Sequence, residues 1–382
     1  MASFRVPREI VHGLDAMKCL EKLDGKRAML VTGGSSMKRN GFLDAAKAHL
    51  EKAGMAVDVF DGVEPNPSIQ TCIEGGRRMQ AFEPDWIIAI GGGSAMDAAK
   101  IMWVFYEYPD YDFMELVKFN FPKLRTKAWM ACIPSTSGTA SEITAFSVIT
   151  DTDNHIKYPL VSPDIVPDLA IIDPALPAKM PPHITANTGM DVMTHAIEAY
   201  VSTAADDYTD PYALHAIEMV ISYLKRAVDH PDDMEARTKM HDASTMAGMA
   251  FSNCSLGIVH SLAHKIGGEF GLTHGEANAM LLPYIIDYNR KGTDKYARLE
   301  GELGVHDIAQ TIRDLNEAVG IAACIKDGQN TVIAEADFKA VLDRMSQNAF
   351  DDACTLTNPR KTSPEDVKKI YQAAYYGKKV DF

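Results

Sequence analysis

Apolar runs that end in glycine- or hydroxyl-rich turns organise the first part of the chain. Arg27 to Thr32 reads as a strand delivered into Gly33-Gly34-Ser35-Ser36, and Gly41 to Ala53 has helical spacing (Leu43, Ala46, Ala48, Leu50) closed by Gly54. Met55 to Phe60 predicts a second strand, E-P-N-P a turn, and Ser68 to Phe82 a helix. Trp86 to Ile90 is uninterruptedly apolar, as a strand buried on both faces requires. Ala128–Ile133, Phe146–Asp151, Lys157–Val161 and Leu169–Ile172 carry further strand patterns. Strand alternating with helix is the cadence of a parallel sheet covered by helices. From Pro174 onward helical periodicity dominates, broken by Pro and Gly, and no strand pattern returns before Phe382. The expected layout is an α/β domain over residues 1–180 and an all-helical domain over 181–382, with L-P-A-K-M-P-P-H-I-T interrupting the pattern between them.

Composition adds limits. The 382 residues suit about two or three domains. A hydrophobic fraction of 46% and a charged fraction of 24% are those of an ordinary globular protein. The net charge of −14 argues against broad attraction to nucleic acid or an anionic membrane. Six cysteines, at 19, 72, 132, 254, 324 and 354, show no C-x-x-C spacing, which fits reduced thiols in the cytoplasm. The start, M-A-S-F-R-V-P-R-E-I, lacks the apolar core of a signal peptide. Ala243 to His264 carries no formal charge, but its Ser, Thr, Asn and His content suits a buried helix hairpin better than a lipid-facing span.

Two kinds of chemistry stand out. The Trp86–Ile90 strand runs into Gly91-Gly92-Gly93-Ser94 and a helix, a turn whose backbone N–H groups can approach a phosphate at the helix's positive end. It is not G-x-G-x-x-G, so the common dinucleotide fingerprint is absent. Pro134-Ser135-Thr136-Ser137-Gly138-Thr139 offers hydroxyls after the next buried strand, for a second phosphate or ribose contact. The other chemistry is metal binding. His260 and His264 stand four apart in an apolar run, His274 follows in Thr-His-Gly, and Asp191 and His195 repeat the four-residue spacing in G-M-D-V-M-T-H-A-I-E. On helices each pair leaves one face. Two such helices could close a site of imidazoles and a carboxylate, which suits Zn2+ or Fe2+ rather than Mg2+ or Ca2+. Spacing does not choose between His260 and His264. The histidines at 12, 49, 155, 183, 215, 230, 241 and 306 have no such pairing and read as surface or packing residues.

With these residues in hand, the chain resembles the iron-containing (group III) alcohol dehydrogenases, in particular the butanol, 1,3-propanediol and lactaldehyde dehydrogenase-like branch. The motifs are G-G-G-S-A-M-D-A-A-K (91–100), P-S-T-S-G-T-A-S-E (134–142), G-M-D-V-M-T-H-A-I-E (189–198), G-I-V-H-S-L-A-H (257–264), H-G-E-A-N-A-M-L-L-P (274–283) and C-T-L-T-N-P-R (354–360), in the family's order. The resemblance implies a dehydroquinate synthase-like fold, a nucleotide-binding α/β domain followed by an all-α metal-binding domain. It also implies Fe2+, or sometimes Zn2+, bound by Asp191, His195, His260 and His274, with His264 beside nicotinamide and substrate as a proton relay. Gly92, Gly93, Ser94 and Asp97 would cradle pyrophosphate; Ser135, Thr136, Thr139 and Lys157 would line the cofactor groove; Phe146, Phe251 and Cys354 would neighbour the substrate pocket.

NAD-preferring members of the family often carry an aspartate after the first strand, which takes the ribose 2′-hydroxyl. This chain has Gly33, then Gly34 and Ser35 with Lys38 and Arg39 nearby, so NADP(H) is favoured over NAD(H). Tyr284 stands where many members have histidine. The implied reaction is hydride transfer between NAD(P)H and a small aldehyde or ketone, or the reverse from the alcohol, by a cytoplasmic homodimer or larger homo-oligomer. Glycerol dehydrogenase-like polyol oxidation and a dehydroquinate synthase-like lyase are the alternatives within the superfamily, and a non-catalytic metal- or nucleotide-binding module lies outside it.

Overall fold

The computed structural model describes residues 3–154, 156–328 and 331–382. His155 lies outside the described residues. The chain forms two compact units, Arg5–Lys179 and Met180–Phe382, the second also taking Met1–Phe4.

The unit Arg5–Lys179 is built on a six-stranded sheet with β1 (Glu9–His12), β2 (Arg27–Gly33), β3 (Ala56–Val63), β4 (Trp86–Gly91), β5 (Trp129–Pro134) and β8 (Leu169–Ile172), in the order β1-β8-β5-β4-β2-β3. Every pairing is parallel. The helices are α1 (Ser36–Arg39), α2 (Phe42–Lys52), α3 (Ile69–Phe82), α4 (Gly93–Glu107) and α5 (Phe113–Val117). The strands' two-residue period sorts their side chains. Met29, Val31, Ile87, Ala89, Met130 and Cys132 join one core with α3 and α4 residues, whereas Ala28, Leu30, Ile88, Ile90, Ala131 and Ile133 join another with α2 residues.

Strand order reverses at β2, which pairs β3 on one side and β4 on the other, so the turns after β2 and β4 open side by side at the carboxyl edge. That switch point is where open α/β sheets take their ligands. β1 went unpredicted because only four residues pair, against β8 at the sheet's edge, and both end residues are exposed. The patterns at Phe146 and Lys157 do not join the sheet; β6 (Phe146–Asp151) and β7 (Ile156–Val161) form a separate antiparallel hairpin.

In the second unit the described helices are α6 (Pro182–Val201), α7 (Asp210–Asp229), α8 (Met234–Cys254), α9 (Ile258–Phe270), α10 (His274–Asn289), α11 (Lys295–Leu303), α12 (Ile308–Ala318), α13 (Glu335–Phe350) and α14 (Pro364–Tyr376). α6 starts with proline at its first position, where the missing N–H costs nothing, and is buried almost all round. Pro283 inside α10 cannot donate to the Ala279 carbonyl, and Asn316 Nδ2 supplies the missing donor at 2.8 Å. Tyr284 is a packing residue: its hydroxyl donates to the Ala323 carbonyl at 2.9 Å and Arg313 lies over its ring. Among the described residues no helix is long and apolar enough to cross a membrane, and all six cysteines are free thiols.

Candidate functional site

The four-residue spacings act as helical geometry requires. Asp191 and His195 sit one turn apart on α6, His260 lies in the first turn of α9, and His274 opens α10. Close approach is built in: a Cβ on Gly275 would stand 2.1 Å from the Asn187 carbonyl oxygen, so only glycine lets the start of α10 press onto α6 beside Asp191. One donor atom from each of Asp191, His195, His260 and His274 falls within 4.8 Å of the others. Asp191 Oδ1 is 3.5 Å from His274 Nε2 and 4.0 Å from His260 Nε2. A tetrahedral ion with bonds of about 2.1 Å separates its ligands by about 3.4 Å, so the spacing suits a first-row cation.

Asp191, His195 and His260 are buried, whereas the His274 side chain is 42% exposed. Burial, reinforced by the neighbouring imidazoles of His195, His274 and His264, holds His260 well below the ordinary histidine range. It is therefore a neutral ring with a lone pair to give, as metal binding requires. Phe251 of α8 stacks on the His195 ring at 4.3 Å between centroids and excludes solvent from that side.

Three neighbouring residues escaped the sequence reading. Asn278, one turn beyond His274, donates through Nδ2 to Asp191 Oδ1 at 2.8 Å and lies 3.2 Å from Nε2 of both His260 and His274. Glu198, on the same α6 face as Asp191 and His195, is buried and sits 2.5 Å from His260 Nδ1. Asp352 meets His264 Nδ1 at 3.2 Å and Lys265 Nζ at 2.7 Å. Burial alone would raise the Asp352 carboxyl, but the His264 hydrogen bond and the charges of His264 and Lys265 hold it well below the usual carboxylate range. His264 thus parts company with His260: it is 40% exposed and groups with Asp352 and Cys354. Burial pushes the Cys354 thiol far up, so it is not a thiolate at neutral pH.

In the unit Arg5–Lys179 the glycine turn after β4 and the hydroxyl loop after β5 adjoin. Gly92 caps α4, Gly93 and Ser94 begin it, and Ser135 N–H donates to the Gly91 carbonyl at 2.8 Å. A Cβ on Gly93 would come within 3.1 Å of the Thr139 side chain, and the buried Thr136 hydroxyl has no protein partner among the described residues. A bare backbone cradle with an unsatisfied hydroxyl beside it is suited to a phosphate-bearing ligand.

Asp97 lies on α4, one turn beyond the start of that cradle. Its carboxylate accepts from Ser141 Oγ at 2.6 Å and from Val148 N–H at 2.9 Å, and so pins the loop and the hairpin. Lys157, on β7, donates to Asn66 Oδ1 at 2.7 Å, and Phe146 opens β6 with its carbonyl accepting from Lys100. Gly33 ends β2, where a Cβ would lie 2.2 Å from the Val63 carbonyl oxygen, and Gly34 and Ser35 follow on the exposed side. The absence of a side chain at Gly33 therefore has a packing cause as well.

Residues 7–174 match the iron-containing alcohol dehydrogenases, and residues 185–375 match the C-terminal domain of that family. The chain belongs to the iron-containing alcohol dehydrogenase family, and with it to the NAD(P)-dependent alcohol and aldehyde oxidoreductases. It is 47% identical, over the full length of both chains, to an NADPH-dependent butanol dehydrogenase of Clostridium saccharobutylicum. The structure of an iron-containing alcohol dehydrogenase from Thermococcus thioreducens superposes with a TM-score of 0.91 at 34% identity, covering 99% of this chain and 100% of the other. A 1,3-propanediol oxidoreductase gives 0.91 at 32%, covering 98% and 100%.

Proposed function

We propose that this protein is an Fe2+-dependent, NADPH-preferring reductase of small aldehydes, with Asp191, His195, His260 and His274 as the metal ligands. The observation that carries it is the convergence of one carboxylate and three imidazoles, within 4.8 Å, in a largely buried pocket. Zn2+ has the same ligand preferences and is the second candidate. When bound, the ion supplies Lewis acidity that polarises the substrate carbonyl, and the nicotinamide supplies the hydride. The protein's own share is position and protons. Phe251 walls the metal pocket beside His195. In this reading His264, which is partly exposed and bonded to Asp352 through Nδ1, passes a proton at Nε2. Cys354 lies beside that pair as a neutral wall, and Phe146 is a substrate neighbour by family resemblance alone.

Gly92, Gly93 and Ser94 hold the pyrophosphate in this reading, Ser135, Thr136, Thr139 and Lys157 line the groove, and Asp97 acts through the loop it anchors. Preference for NADPH follows from the absence of a carboxylate at Gly33, Gly34 and Ser35, from the exposed Lys38 and Arg39, and from the relative described as NADPH-dependent. Because any side chain at Gly33 meets Val63, the informative substitution is Ser35→Asp. It is expected to weaken NADPH relative to NADH, and an unchanged ratio discards the preference.

His260→Ala is expected to lose both metal and turnover, whereas His264→Ala keeps the metal and loses rate. Full activity in both variants refutes the assignment. The protein works in the cytoplasm as a homodimer or larger homo-oligomer in this account, and size-exclusion chromatography with light scattering checks the assembly.

A further inference from the structure

We propose that Glu198 is a positioning residue for the metal centre, its carboxylate accepting a hydrogen bond from His260 Nδ1–H so that the Nε2 lone pair is left for the metal. The inference rests on the metal-binding reading above and concerns a residue outside the ligand set. Glu198 follows Asp191 and His195 at the next turn of the same α6 face. Its Oε2 is 2.5 Å from His260 Nδ1, and its Oε1 accepts the Val259 N–H at 2.6 Å in the first turn of α9. One buried carboxylate therefore fixes both the ring and the start of the helix that carries it.

The approach is made possible by Gly257, where a Cβ would stand 2.8 Å from Glu198 Oε1. Asn358 Oδ1 accepts the preceding N–H, that of Ile258, and is itself held by Asn289 Nδ2 at 2.9 Å, so the turn that presents His260 is tied from two sides. A neutral imidazole carries its proton on either nitrogen, and only the Nδ1–H form can ligate through Nε2. Burial raises the Glu198 carboxyl to about 8 while the backbone N–H groups of Val259, Gly257 and His260 hold it down; in its ionised form it can only accept, and so selects that form.

The isosteric variant Glu198→Gln separates positioning from simple helix capping. Glutamine can still accept the Val259 N–H through its carbonyl oxygen, but its NH2 then faces His260 Nδ1, makes that nitrogen the acceptor and places the ring proton on Nε2. Capping alone predicts unchanged metal affinity; positioning predicts weaker binding in a folded protein.

The test is Co2+ binding to the full-length metal-stripped protein, measured by competition with a chromophoric chelator and by the visible d–d absorption of the bound ion, with thermal unfolding of the stripped protein alongside. Glu198→Gln is expected to raise the Co2+ dissociation constant 10- to 100-fold. The exchangeable Nδ1–H resonance of His260 in the paramagnetic spectrum should be lost while the unfolding temperature stays near wild type. Gly257→Ala keeps the carboxylate but displaces it, is expected to weaken binding in the same direction, and carries the test should Glu198→Gln fail to fold. Wild-type affinity, within twofold, in the folded variants overturns the role of Glu198. A wild-type protein that binds no Co2+, or a His260→Ala variant that binds it normally, overturns the metal site itself.

Discussion

Replacing Lys100 with methionine should unsettle the nucleotide cradle without touching it. The Lys100 side chain is fully buried, and its Nζ donates to the Phe146 carbonyl at 2.7 Å, the Thr144 carbonyl at 2.9 Å and Ser141 Oγ at 3.1 Å. Three short acceptors match the three N–H bonds of an ammonium. Burial lowers the Lys100 pKa and the Asp97 carboxylate opposes that shift; burial in turn raises Asp97, opposed by Lys100. Methionine preserves the apolar stem but leaves two buried carbonyls without their donor and Asp97 without its countercharge.

Unpairing a buried charged group costs about 3–5 kcal/mol, and two unsatisfied carbonyls at about 1–3 kcal/mol each give about 2–6 kcal/mol, which brackets it. For a unit of this size that lowers the midpoint of thermal unfolding by roughly 6–20 °C. Because Ser141 and Thr144 continue the loop that bears Ser135, Thr136 and Thr139, NADPH affinity should fall with it. Calorimetry and NADPH fluorescence titration at a temperature where the variant is folded measure both effects. A midpoint within 3 °C of wild type together with unchanged NADPH affinity refutes the reasoning.

Two further predictions concern stability. His241 is buried in α8, and burial lowers its pKa to about 3. The unfolded chain then binds this proton first as pH falls, so the contribution is intact above about 6.5 and is lost between there and about 3, by up to roughly 5 kcal/mol. His241→Met should flatten that acid limb in unfolding measured against pH, and an unaltered limb contradicts the assignment. Ser255, between α8 and α9, sits at φ 63° and ψ −169°, a region open essentially to glycine alone. Ser255→Gly should therefore raise stability by about 1 kcal/mol in denaturant titration, and a loss of stability shows that the residue's side chain matters more than its backbone.

The sheet was legible because its central strands, Arg27–Thr32 and Trp86–Ile90 above all, are apolar without interruption, and nothing but two-sided burial explains such runs. Glu9–His12 was not, since a four-residue edge strand leaves no periodicity to detect. The hairpin direction at Phe146 and Lys157 also escaped, because a strand's pattern does not say which neighbour it pairs. At the site, the four-residue steps from Asp191 to His195 and from His260 to His264 were readable as helix faces. What sets His260 apart from His264 was not, because their partners are remote in sequence, Glu198 62 residues away and Asp352 88 residues away. Gly33 shows a different limit: the lack of an aspartate there was readable as a cofactor expectation, while the pressure from Val63 that also demands glycine was visible only in three dimensions.

The most direct measurement is activity through removal and return of the metal. Protein stripped by chelator under anaerobic conditions should reduce butanal with NADPH only after Fe2+ is restored, reaching full rate at one ion per chain, and a Asp191→Ala/His274→Ala double variant should take up no ion and recover no rate. Stripped protein that turns over at the untreated rate, or a double variant that recovers with Fe2+, contradicts the account at its centre.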